Sequence, residues 1–291
     1  MKKISFILCF IFCVSALLAQ SNGNKKIKVF ILSGQSNMVG LGNSTELPDS
    51  LRYGTDNKLI FEDGEWQILK PFKSTGEKQR ERFAMTEYSF GPEISFANGI
   101  AKAYPNETIG IIKSATGGTG ILAWSPNWTI EQANRSNDGK KGDLYKKLIN
   151  KVRAAQKEAT IEIVGFLWQQ GGKDMTKVDL AKEYFDNLNS LITGLRKDLD
   201  LPNLPVFIGC SVSKETLTSV KDSPQLQKVK KVHPGVEHVI LARYQAEEQI
   251  PNVSVVVSEN LEKHPKNVHY NTNGQLRLGE YYADAFIKFV N

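Results

Sequence analysis

Apolar and polar positions along this chain fall into two rhythms: short unbroken apolar runs, and longer stripes that repeat every three to four residues. The first run covers residues 27–32, rich in β-branched and aromatic side chains, and stops at Ser33-Gly34-Gln35-Ser36-Asn37. Similar runs follow at 108–112, 161–168, 205–210 and 253–257. Strands that are apolar at successive positions have both faces covered, as in parallel sheets. Helical stretches lie between them, at 92–104, 144–158, 178 to about 195, 236–249 and about 273 to 289. Leu180, Tyr184, Phe185, Leu188, Leu191, Ile192 and Leu195 form one stripe, which reads as a core face rather than a cofactor box. Five strands alternating with helices predict an α/β fold, a mostly parallel sheet with helices on both faces.

Two segments break this rhythm. Residues 42–90 are long and charged, and residues 125–142 are polar with Trp124 and Trp128 at their start. Long connections in compact domains are usually functional or disordered. Here the two tryptophans are expected to stack on a sugar ring, the alternative being closure of the domain edge. The first residues stand apart: Met1-Lys2-Lys3 precedes an apolar run to Leu18 and a small residue, Ala19, followed by polar positions. That is the pattern of a cleavable signal peptide at 1–19, which predicts a secreted or periplasmic single domain at 20–291 with no stable membrane insertion. Cys9 and Cys13 leave with it, so Cys210 remains alone as a buried side chain and no disulfide forms. The formal charge of +6 falls to +4 without Lys2 and Lys3, and the remaining cations are dispersed, which argues against nucleic-acid binding. No cysteine–histidine cluster has metal-ligand spacing, so no metal or other cofactor is expected.

Chemistry is carried by residues at the strand ends, where open α/β sheets bind ligands. Ser36 follows the first strand, and two readings fit it, a nucleophile or a cap of the following turn. A nucleophilic serine needs a base and a set of oxyanion donors. Of four histidines, His233 and His238 read as surface or packing residues. His264 and His269 lie after the last strand, and His269 is the better base because a helix cap follows it at Tyr270-Asn271-Thr272-Asn273. Gly117-Gly118-Thr119 follows the second strand, where glycine lets backbone N–H groups approach a carbonyl, and Gln170 follows the third with an uncharged amide to donate.

Gly34-Gln35-Ser36-Asn37-Met38, the Gly117-Gly118-Thr119 turn, Trp168-x-Gln170-Gly171-x-x-Asp174 and His269-Tyr270-Asn271-x-x-Gly274-Gln275 occur in this order. Together with Phe90-Gly91-Pro92-Glu93 and Arg243-x-x-Ala246 they resemble the sialate O-acetylesterase and acetylxylan esterase group of the SGNH-hydrolase superfamily. The resemblance implies a three-layer α/β/α, flavodoxin-like fold and removal of acetyl groups from an acetylated carbohydrate through an acetyl-enzyme. It also implies Ser36 as nucleophile, His269 as base, and Ser36, Gly118 and Gln170 as oxyanion donors. The chain departs from the group twice. Gly172 stands where relatives carry glutamate, and Lys266 where they carry the aspartate that orients the histidine. Glu262, Glu259, Asp174 or a backbone carbonyl could replace that aspartate; otherwise the chain is a weakened esterase or a carbohydrate-binding relative. In a chain that lacks an orienting group, Lys266→Asp should raise kcat.

Overall fold

The computed structural model describes residues 26–73, 81 and 86–291. The proposed signal peptide at 1–19 lies outside the described residues. Seven strands form the main sheet: β1 (Ile27–Gly34), β2 (Lys58–Glu62), β3 (Glu65–Ile68), β4 (Thr108–Ala115), β5 (Ile161–Gln169), β6 (Val206–Cys210) and β7 (Val253–Val257). Their spatial order is β7-β6-β5-β1-β4-β2-β3, with every pairing parallel except β2 with β3. The five strands expected from the apolar runs keep the doubly wound order, in which the first strand lies between the second and the third. That reversal beside β1 opens a crevice at the carboxyl ends of β1 and β5.

Alternate residues of β1 serve opposite cores, because side chains on a strand alternate in direction. Val29 and Ile31 face the helices α2 (Leu144–Glu158), α3 (Tyr184–Asp198) and α5 (Val236–Gln249). Phe30 and Leu32 face α1 (Glu93–Ala103) and α6 (Thr272–Val290). Phe30 meets Phe96 of α1 edge-on at 4.8 Å and Phe286 of α6 at 4.7 Å, so one ring ties both helices to the central strand. Rings paired this way gain about 0.5–1.5 kcal/mol beyond the area they bury. Between α3 and α5 in the chain comes α4 (Pro224–Val232), which places Val229 on the wall of the crevice.

Three expectations change. The segment at 42–90 is not simply a loop: β2 and β3 extend the sheet through a hairpin, and Gly42–Asn43, Phe72–Lys73 and Tyr88–Phe90 form a small antiparallel sheet. Asp63 and Gly64 at the hairpin tip both have positive φ (51° and 86°), as a two-residue turn requires. The stripe at 178–195 is split at Glu183 into Val178–Lys182 and α3. The polar segment at 125–142 contains a short helix, Ile130–Asn134, and a single turn, Gly139–Lys141.

Candidate functional site

Ser36 opens a four-residue helical turn, Ser36–Val39, directly after β1. Gly34 makes the approach possible. Its φ is +140°, and a Cβ there would lie 2.3 Å from the carbonyl oxygen of Gln169 on the neighbouring strand. The N-cap of the turn is Gln35 and has no capping side-chain bond, while the Ser36 hydroxyl lies 2.8 Å from His269 Nε2. Two residues 233 positions apart in sequence therefore meet. Their neighbours hold them there. Gln35 Oε1 accepts from Gly171 N and Gly172 N at 3.1 Å each, tying the serine turn to the end of β5. Asn37 Oδ1 accepts from Tyr270 N at 3.1 Å, tying the same turn to the histidine loop. Behind it, Lys113 donates to Val39 O at 2.6 Å and to buried Glu93 at 2.7 Å. Burial lowers the pKa of Lys113, and the Glu93 charge opposes that shift.

The histidine loop is closed at both levels. Lys263 bridges Tyr270, His264 N donates to His269 O at 2.9 Å, and the His264 ring bonds Leu41 O at 2.9 Å. Asn271 then caps α6 by accepting from Gly274 N at 3.0 Å, the arrangement expected from the sequence. The other ring nitrogen, Nδ1, faces Asn267 Oδ1 at 2.6 Å. The three carboxylates considered from the sequence are engaged elsewhere. Glu259 accepts from Ser213 N, which holds its pKa below the usual carboxylate range, and Glu262 accepts from Asn271 and Asn273. Asp174 is fully buried, accepts from Ile121 N and Gln170 Nε2, and has its pKa pushed up to about 6 by burial. Lys266 is exposed at φ +55°. Sequence reasoning missed Asn267; an asparagine beside a Pro-containing turn, a residue that readily bonds its own following backbone, was the available signal.

Gly118 lines the cavity at φ +63°, in the left-handed region where glycine carries no steric cost. A second pair missed by sequence reasoning supports this turn. Lys141 donates to Gly117 O at 3.0 Å and to Gly118 O at 2.7 Å, and pairs with buried Asp138 at 2.9 Å. Asp138 in turn accepts from Gly120 N at 2.7 Å. Gln170 also lines the cavity, but its Nε2 donates to Thr119 O at 2.8 Å and to Asp174 at 2.6 Å, while Tyr184 bonds its Oε1. An amide so engaged has to exchange one of those partners before it can serve an oxyanion.

The cavity around Ser36 and His269 has a volume of about 920 Å³. Its walls carry Lys173, Arg243 and Lys263, and no carboxylate is among the described residues that line it. His233, read from sequence as a surface or packing residue, lies on its rim. The tryptophans do not. Trp124 is fully buried, packs edge-on against Trp168 at 5.5 Å and donates to Thr119 at 3.2 Å, so it belongs to the core below the Gly118 turn. Trp128 is partly buried and is not among the lining residues, so neither ring is available to stack on a sugar in this cavity.

Comparison with known proteins places this geometry in a family. A protein of Arabidopsis thaliana named as a probable carbohydrate esterase is 25% identical over 269 residues, 89% of this chain and 90% of its own length. A crystal structure from the same plant superposes with a TM-score of 0.66 at 24% identity, covering 90% of this chain and 98% of that one. NanS gives a TM-score of 0.61 at 17% identity, over 92% of this chain and 98% of NanS. A carbohydrate acetylesterase from Xanthomonas citri gives 0.58 at 17% identity, over 88% of this chain and 55% of that one. The sequence profile of the family described as carbohydrate esterase, sialic acid-specific acetylesterase matches residues 26–288, and the chain belongs to that family.

Proposed function

We propose that this protein is a serine esterase that removes O-acetyl groups from a carbohydrate through an acetyl-enzyme. One observation carries the reading: a serine hydroxyl 2.8 Å from an imidazole nitrogen, at the sheet's switch point and inside a cavity large enough for a sugar. Ser36 Oγ attacks the acetyl carbonyl while His269 Nε2 takes its proton. The oxyanion forms against the Ser36 N–H, an amide that a helix start leaves without an intrahelical acceptor, and the Gly118 N–H. Gln170 joins them by exchanging its bond to Thr119 O. His269 then protonates the departing sugar oxygen, and a water activated by the same imidazole releases acetate. The signal peptide expected at 1–19 fits an exported enzyme.

The wall composition narrows the substrate. Lys173 and Lys263 on the walls, with no carboxylate among the described lining residues, favour a sugar that bears an acid group, a sialic or hexuronic acid, over neutral xylan. Acetate release should therefore be faster from O-acetylated sialic acid or acetylated pectin than from acetylxylan. Hydrolysis of p-nitrophenyl acetate should disappear in Ser36→Ala and His269→Ala with the fold intact by circular dichroism. An intact chain that binds glycan but releases no acetate above background would instead be a carbohydrate-binding relative.

A further inference from the structure

We propose that Asn267 is the positioning residue of His269, so that a neutral amide works where the resemblance places an aspartate three residues before the histidine. The proposal rests on the reading of Ser36 and His269 as nucleophile and base. Its first support is the identity of the facing atom. Asn267 Oδ1 lies 2.6 Å from Nδ1 and also accepts from Val268 N at 2.8 Å and His269 N at 3.3 Å. Two backbone N–H groups on the same atom require the oxygen there, since an amide nitrogen has no lone pair to offer them. An oxygen facing Nδ1 requires Nδ1 to carry the proton. Nε2 then holds the lone pair, and that lone pair faces the Ser36 hydroxyl at 2.8 Å. The amide thus selects the one neutral tautomer that can act as base toward serine.

Its second support is rigidity. Asn267 N donates to His264 O at 3.1 Å, closing the turn His264-Pro265-Lys266-Asn267 with the left-handed residue at Lys266. The same loop is pinned by the bridge between Lys263 and Tyr270 and by the bond from the His264 ring to Leu41. Asn267 is held on the side of the imidazole away from Ser36.

An amide orients but brings no charge. When His269 holds the proton, the titratable and charged groups around it among the described residues are Glu262, Lys263, His264 and Lys266 on its own loop, with Glu262 engaged by Asn271 and Asn273, and Lys173, His233 and Arg243 on the other cavity walls. The group that faces Nδ1 is neutral, so Asn267 itself supplies none of the counter-charge that an aspartate in its place would bring to the imidazolium. Asn267→Asp therefore raises the pH at which His269 loses its proton, while Asn267→Ala releases the choice of tautomer.

The experiment pairs kcat and KM against pH on p-nitrophenyl acetate with 15N NMR of the imidazole in the full-length chain. Asn267→Ala should lower kcat about 10- to 100-fold with little change in KM, and its neutral imidazole should show mixed tautomers. Asn267→Asp, nearly isosteric and so expected to fold, should keep the Nδ1–H tautomer and move the acidic limb of kcat/KM upward by about one pH unit or more. Wild-type kcat with an unmixed tautomer in Asn267→Ala, or an unmoved acidic limb in Asn267→Asp, overturns the proposal. Should the spectra respond as expected while no chain, wild type included, cleaves the ester, the esterase reading fails and Asn267 remains what holds His269.

Discussion

Gln35, Ser36 and Asn37 are consecutive, yet each is directed to a different part of the molecule: the end of β5, the imidazole and the histidine loop. The motif is therefore a junction as well as the site of the proposed nucleophile, and the junction holds Ser36 and His269 in alignment. Lys266 tests this at the same scale. It points into solvent from a left-handed backbone, and the place behind His269 is taken by Asn267. Lys266→Asp should therefore leave kcat unchanged or lower it, contrary to the gain expected of a chain with no orienting group. A rise of tenfold or more on a chromogenic acetate would show that the amide leaves the imidazole under-supported. The serine, the histidine and the glycine turn were legible because each residue type has a narrow chemical use at a strand end. Asn267 was not, because an asparagine two residues before a histidine is common and only its rotamer makes it a partner.

At the scale of elements, the segment at 125–142 places Asp138 and Lys141 under the turn that offers Gly118. Lys141 holds the carbonyls of Gly117 and Gly118, and the Gly117 carbonyl shares its peptide unit with the Gly118 N–H, so under the proposed function Lys141 fixes that donor's direction and adds positive charge beside the oxyanion. Lys141→Met should lower kcat about tenfold, less than the loss of a direct donor, with KM little changed. Lys141→Arg should recover part of it. Equal effects on kcat and KM, or none, would assign Lys141 to surface structure alone. Apolar runs located the five parallel strands because both their faces are buried. β2 and β3 escaped notice because they are short and carry charged residues, and β3 forms the sheet edge, so neither shows an unbroken apolar run. Trp124 misled for a related reason: a tryptophan in a polar stretch reads as a platform until the core beneath it is seen.

Across the whole molecule, Asp174 joins the ends of two strands, accepting from Ile121 after β4 and from Gln170 after β5. With its pKa pushed up to about 6 by burial, the folded chain keeps this proton at a pH where the unfolded chain has lost it. Stability should therefore be greater below about pH 4 than above pH 6 from this group alone, with about 3 kcal/mol lost as the pH rises between them. Urea unfolding at pH 4 to 7 should show that slope, and Asp174→Asn should remove it; parallel curves for the two chains would mean the carboxyl stays ionised in the fold. The sequence by itself determined the strand order's raw material, the serine, histidine and glycine positions and the family, because burial periodicity and turn chemistry are local properties written in successive residues. Tertiary structure alone decided that Asn267 faces His269, which cation holds the Gly117-Gly118 turn and that Trp124 belongs to the core. Those are contacts fixed by how the layers close over the sheet rather than by any spacing along the chain.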